Sequence, residues 1–489
     1  MLVEALLAVV LLVLLAFYLG RDPPGLPPGP RKYPIIGSLT FCHSIESCRR
    51  LKKEYGDTFG LRHGSQRVVF LCNSKTIREA FSRYEFNDRP DWKFPNFLSE
   101  GKVAGVIFSS GERWQTLRRF LLRNLRDLGM GTSRLDDVIV REAEGLVQDF
   151  RTYANKPSFF PPSINTAALN VIWQLVASQR YDLSDAKIQE FAHDVQKFQE
   201  YVPLLALPDF FPWLRYIPQP LLRRLCREEA LKGSVKLCRE MMEEAVREHR
   251  ASLDPASPRD VLDEFLLEME NRKDEPNSVF NEQDLIKTIF DLFAAGYDTT
   301  SNMTRWVILH MAHRPAVQRR VQEELDRVVP RDTLPSHAHR QQLPYLDAVL
   351  NEVLRVSSLV GAGVAHAAAH DTYLDRYFIP KGTALVGYAH FCHFDPNHWD
   401  EPEEFRPERF LNESGKLSVP KEAFFPFGVG KRSCLGESLA RMELYIFAAA
   451  LLQNFTFAMP EGRSVDFTPR PVHNANMPRD QEILIVPRD

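Results

Sequence analysis

Between Phe424 and Arg441 the chain reads FFPFGVGKRSCLGESLAR. One cysteine, Cys434, follows Gly428, Gly430 and a basic pair, and precedes an apolar, helix-like run. Glycine tolerates positive φ, so such a loop can fold tightly with the thiol at its tip. A helix beginning near the cysteine aims backbone N–H groups and its positive dipole end at the sulfur, which favours a thiolate. A thiolate held this way suits a nucleophile, which needs a base nearby. It equally suits a ligand for a soft or borderline metal, which needs none. The loop contains no histidine, although another segment could bring one, so both roles stay open at this point.

Other stretches carry weaker signals. AAGYDTT, from Ala294 to Thr300, places a glycine and paired threonines inside a long apolar pattern. These residues are poor mid-helix choices, and alone they read as a tolerated weak turn. Glu352 and Arg355 in NEVLR stand at i, i+3 on one helix face. Alone they read as a surface pair worth at most about 1 kcal/mol. Trp114 and Arg118 in ERWQTLRR, four apart, read alone as a core aromatic and a solvated arginine. The other cysteines are Cys42, Cys48, Cys72, Cys226, Cys238 and Cys392; no CxxC pair occurs, which gives a zinc ribbon or thioredoxin-like site no support. They read as buried thiols in a reducing compartment.

The elements that must position these residues follow from pattern and punctuation. The chain has 489 residues, 44% apolar and 26% charged, with a net charge of −3. A large core is accessible, and a nucleic-acid partner is disfavoured. Residues 1–20 are almost wholly apolar and read as a transmembrane anchor; residues 21–32, RDPPGLPPGPRK, read as a stiff proline-rich linker. Arg21, Arg31 and Lys32 follow the apolar run, which puts the body on the cytoplasmic side. Residues 33–489 then form one mainly α domain with small β-sheets. A hairpin is expected over 57–73. A helix is expected from an Asn281 cap to His313, stopped by Pro315, long enough to cross the body at roughly 50 Å. Short strands follow at 364–389, an irregular stretch at 394–426, and a helix after Gly436.

The order F-x-x-G-x-G-x-R-x-C-x-G, from Phe425 to Gly436, resembles the haem-binding loop of the cytochrome P-450 superfamily, the haem-thiolate monooxygenases. AAGYDTT is similar to that family's oxygen-pocket motif. The general spacing looks like the animal microsomal, drug- and steroid-metabolising group, with an arthropod character. The resemblance covers nearly the whole chain and implies that fold behind its membrane anchor.

The resemblance also implies a set of roles. Cys434 would be the iron ligand of haem b, its thiolate pushing electron density to the metal. Arg432, Trp114, Arg118 and His366 would meet the haem propionates, and Phe427 would pack by the ligand. The family pairs its histidine with a preceding proline, whereas this chain has Ala365 before His366. Gly296 would leave room for a small ligand, while Thr299 and Asp298 would deliver protons to bound oxygen. Glu352, Arg355 and Arg409 would form a buried structural triad. The implied reaction inserts one atom of O2 into a lipophilic small molecule, a steroid, other lipid or foreign compound. No flavin or nucleotide motif is present, so electrons would come from NADPH through a separate cytochrome reductase, with cytochrome b5 a second candidate donor. The implied location is the endoplasmic reticulum membrane, catalytic domain facing the cytoplasm. The alternatives are a haem-thiolate isomerase or dehydratase, a non-catalytic haem sensor, and a cysteine hydrolase without haem.

Overall fold

The computed structural model describes residues 22–33, 35–38, 44–96, 99, 101–127, 133–472 and 475–488. The helices that matter for the site are α1 (Gly111–Asp127), α2 (Ser133–Thr152), α3 (Ser163–Ala177), α4 (Glu282–His313), α5 (Pro344–Ser357) and α6 (Glu437–Asn454). The main apolar core is shared by all six.

α4 begins where the sequence predicts. The Asn281 side-chain oxygen accepts the Asp284 N–H, Glu282 and Asp284 oppose the helix dipole, and Pro315 opens the next helix. Most of its 32 residues are buried, as expected of a helix running through an interior. It lies along α3, whose residues are buried almost throughout. Gly296 sits at this contact: a Cβ there would stand 3.2 Å from Ile172 Cγ1. The glycine therefore lets two helices approach, and the expected room for a small ligand does not lie on this side of it.

Six short strands form the larger sheet: β1 (Lys32–Tyr33), β2 (Gly37–Ser38), β3 (Thr58–His63), β4 (Gln66–Leu71), β5 (His366–Ala367) and β6 (Ala384–Gly387). Their order is β1-β2-β3-β4-β6-β5, with β4 and β6 parallel and the remaining neighbours antiparallel. β3 and β4 are the expected hairpin. The sheet places His366 at its edge, opposite Leu385.

Among the described residues no helix is long and apolar enough to cross a membrane. The expected anchor at 1–20 lies outside the described residues, as does Asn474. Cys72, Cys226, Cys238 and Cys392 are free and buried, as expected, but Cys48 is disulfide-bonded rather than a free thiol.

Candidate haem-thiolate site

The cysteine loop is closed by its own backbone. Cys434 N–H donates to the Phe427 carbonyl at 2.9 Å, Gly428 N–H to Phe425 at 3.0 Å, and Ser433 N–H to Gly430 at 3.2 Å. Gly430 holds φ at 79°, and a Cβ there would lie 1.9 Å from the Phe81 carbonyl oxygen. Only glycine fits. α6 starts at Glu437 behind a Gly436 cap, so Cys434 precedes the helix rather than opening it. Burial pushes the thiol above its ordinary value, with a hydrogen bond from the Gly436 backbone acting against that. The helix end therefore does not outweigh burial at this sulfur. Cys434 is also exposed.

Around this loop lies a positive cradle. Arg432 spreads its guanidinium 3.9 Å from the centre of the buried Trp114 ring and donates to the carbonyls of Asn87 at 2.8 Å and Ser109 at 2.6 Å. Arg118, one helical turn after Trp114 on α1, donates to the Ser433 carbonyl at 2.8 Å. Arg89 donates to the Ile107, Val364 and Ala365 carbonyls. Burial first, and then their mutual repulsion, lowers Arg432 to about 8 and Arg89 to about 9. Among the described residues no carboxylate forms an ion pair with Arg89, Arg118 or Arg432. Three convergent guanidiniums hydrogen-bonded only to carbonyls, with the Asp88 carboxylate near Arg432 but not paired with it, leave a site that suits a further anion. His366 belongs to the same cluster. Its Nδ1 bonds the Phe86 carbonyl at 2.8 Å, and its ring stacks on Phe81 with centroids 3.8 Å apart. Burial, then Arg89, holds it well below the usual histidine range.

Arg89 is the residue that sequence reasoning missed. It sits in FNDRPDW, with no spacing relation to the other arginines. Only the chain's return through β5 and the cysteine loop brings it to them. Phe427 is partly buried, with the Arg441 guanidinium 4.7 Å from its ring centre.

The accessible part of α4 lies mid-helix. Ala295 is exposed and Thr299 partly so, between long buried runs. Thr299 Oγ1 donates to the Ala295 carbonyl at 2.7 Å, the expected back-bond to the preceding turn. Asp298 is buried, accepting from Asn302 Nδ2 at 2.9 Å. The next residue, Thr300, reaches Glu443 of α6 at 3.4 Å, so α4 and α6 are bridged beside this opening.

The triad is built as expected. Arg355 and Glu352 are fully buried and doubly bonded at 2.7 and 2.8 Å. Arg409 joins Glu352 at 3.2 Å. Arg355 also donates to the carbonyls of His393, Pro402 and Glu404, and Glu352 accepts the Arg406 N–H. The irregular stretch leading to the cysteine loop is pinned to α5 by these bonds. One other cluster, His249, Asp260 and Asp263, has ligand atoms close enough for a metal. Those atoms are already used in capping the Val261–Asn271 helix and in bonds to Arg259 and Ala245.

An exposed cysteine, a loop that only glycine can form and a carbonyl-bonded arginine cradle suited to an anion define a cofactor-holding class of enzyme. Comparison with known proteins agrees. The Cytochrome P-450 family profile matches residues 27–484. The chain is 42% identical to cytochrome P-450 2L1 of Panulirus argus, covering 97% of each chain. It is 36% identical to cytochrome P-450 2F5 of Gorilla gorilla gorilla, over 96% of this chain and 95% of that one. It is 34% identical to farnesoate epoxidase of Bombyx mori, over 98% of each. The chain belongs to the cytochrome P-450 family. It is a haem-thiolate monooxygenase, an oxidoreductase whose cofactor is haem b with a cysteine thiolate on the iron.

Proposed function

We propose that this enzyme inserts one oxygen atom of O2 into a lipophilic small molecule at the endoplasmic reticulum membrane, drawing electrons from NADPH through a separate reductase. The observation that carries the reading is the exposed Cys434 beside an arginine cradle whose guanidiniums are hydrogen-bonded only to carbonyls. Haem b, when bound, supplies the iron on which dioxygen is activated. Cys434 provides the thiolate. Arg89, Arg118 and Arg432, with Trp114 and His366, would hold the carboxylates of the group. Those carboxylates would relieve the repulsion among the arginines. Phe427 packs beside the sulfur. Thr299 would present its hydroxyl on the accessible side of α4, and Asp298, the residue before it, would relay the proton.

The substrate chamber is assigned to the segment from Lys93 to Phe108, the 200–215 region, Ala294, Ala295 and the turn from Val360 to Val364. Phe94 and Phe108 meet edge to face, and Phe94 and Ala206 share a small apolar cluster. Such a lining suits an apolar ligand. The name of the Bombyx mori relative makes a farnesoid ester one compound to include in a screen. Arg119, Arg123 and Lys431 are exposed and form the candidate reductase or cytochrome b5 face; Arg123 is partly engaged by Glu268 at 3.3 Å. Residues 1–20 serve as the anchor and 21–32 as its linker, with the catalytic domain from 33 onward in the cytoplasm.

The test is spectroscopic. Reduced protein under carbon monoxide is expected to show the red-shifted Soret band of a thiolate-ligated haem, and Cys434→Ser is expected to lose it. A band unaffected by that substitution refutes the assignment. Product formation that requires NADPH and reductase separates a monooxygenase from an isomerase or a sensor.

A further inference from the structure

Thr299 and Asp298 are neighbours in sequence but point to different sides of α4, since successive residues turn about 100° around a helix. Thr299 lies on the accessible side and back-bonds to Ala295. Asp298 is buried, and a further side chain, Asn302, one turn on, is buried beside it. Asn302 Nδ2 donates both to the Asp298 carboxylate at 2.9 Å and to the Asp298 carbonyl at 2.8 Å. The orientation of that amide is determined by what lies on its other side. Arg305 Nη1 approaches Asn302 Oδ1 at 3.5 Å, and Arg305 Nη2 donates to Asn165 Oδ1 on α3 at 3.1 Å. A guanidinium can only donate, so the amide oxygen must face Arg305 and the NH2 must face Asp298. The polar file runs from Asp298 through Asn302 and Arg305 to Asn165, with Arg305 half-buried at its outer end. Among the described residues, the charged and titratable groups acting on this file include Tyr297 and Arg305 on α4, with Asp480 and Arg470 acting on Arg305 and Cys238 acting on Tyr297.

We infer that Asn302 is a positioning residue for proton delivery: it holds the Asp298 carboxylate in place and favours its ionised form between proton transfers, with Arg305 fixing the amide. The inference rests on the proposed role of Asp298. Protons matter at a defined branch. Without added substrate, O2 takes up two electrons and two protons to leave as hydrogen peroxide, or four of each to leave as two waters. The electrons come from NADPH through the reductase in both cases. A poorly placed carboxylate slows proton supply and shifts the branch toward peroxide.

The experiment uses holoenzyme reconstituted with reductase and NADPH, with haem content checked by the carbon monoxide spectrum. Asn302→Ala is expected to raise the peroxide-to-water ratio about tenfold, the change that loss of one charge-assisted hydrogen bond produces. Because that bond favours the ionised carboxylate, its loss should also move the pH midpoint of the ratio upward. A residue that merely packs would change rate or haem content and leave the midpoint in place. Should Asn302→Ala fail to take up haem, Asn302→Leu, closer in volume, serves the same comparison. The decisive control is Asp298→Asn, alone and combined. If Asp298→Asn shifts the ratio but the Asn302 variants leave ratio and midpoint unchanged, Asn302 has no such role and the Asp298 reading stands. If the Asn302 effect persists undiminished in the Asp298→Asn background, it does not act through Asp298 and the inference falls. If Asp298→Asn itself changes nothing, the relay reading fails and takes this inference with it.

Discussion

At the scale of single residues, two polar side chains on either side of the α4–α6 bridge make opposite demands. Thr299 is accessible and its hydroxyl is already engaged with Ala295, so replacing it removes a proton carrier without opening the core. Thr299→Ala is expected to take up haem normally yet divert electrons from product to peroxide; peroxide per NADPH consumed is the measurement. Glu443 lies behind it, buried and, among the described residues, without a cationic partner or a bond to Oε1, with Thr300 at 3.4 Å from Oε2. Burial pushes its carboxyl well above the ordinary range. Above an ordinary carboxylate pKa the unfolded chain releases this proton while the folded protein keeps it, so stability falls as pH rises. Glu443→Gln has no proton to keep. The variant should match the parent in urea near pH 4.5 and be the more stable of the two at pH 8.

At the scale of elements, the cysteine loop is held by what surrounds it. Its glycines permit the turn, but the Glu352–Arg355–Arg409 triad places the preceding irregular stretch against α5. Every charge in that triad is buried and paired. Removing Glu352 leaves two guanidiniums without their carboxylate, at a cost of roughly 3–5 kcal/mol. Glu352→Ala is therefore expected to give protein with little bound haem, read from the absorbance ratio of the Soret band to 280 nm. Glu352 and Arg355 were legible in the sequence as an i, i+3 pair, and Arg409 by family resemblance. Their burial was not, because spacing along one helix says nothing about what covers it. Gly296 makes the same point in reverse: the motif was visible, but its packing against Ile172 depends on where α3 lies.

At the scale of the whole molecule, carboxylates from distant segments tie the 93–107 region into place. Asp291 of α4 accepts the N–H groups of Val106 and Ile107 at 2.8 and 3.0 Å, and Asp284 accepts that of Gly105 at 3.1 Å. Asp291 is itself bonded by buried Lys287. From the other side, Asp209 accepts the N–H groups of Lys93 and Phe94 at 2.7 and 3.0 Å. The region lining the proposed substrate chamber is thus strapped at both ends. Asp291→Ala leaves buried Lys287 without its carboxylate and frees two backbone donors. Amide hydrogen exchange over 103–109 should accelerate in that variant while exchange in α6 stays slow; uniform exchange with the parent would show that the strap carries no load.

Sequence alone determined the parts of this protein that depend on local order. These are the single cysteine among glycines, the Asn281 cap and Pro315 stop of α4, the hairpin at 57–73, and the motifs by which the chain resembles its family. Each rests on interactions within a few residues or on a spacing that one element enforces. Tertiary structure decided the rest: Arg89 in the cradle, Gly296 against Ile172, Asn302 on the Asp298 carboxylate, and Arg118 on the Ser433 carbonyl beside Cys434. Burial, and charge without a partner, are properties of segments that meet only after folding, and no local pattern encodes which segments those will be.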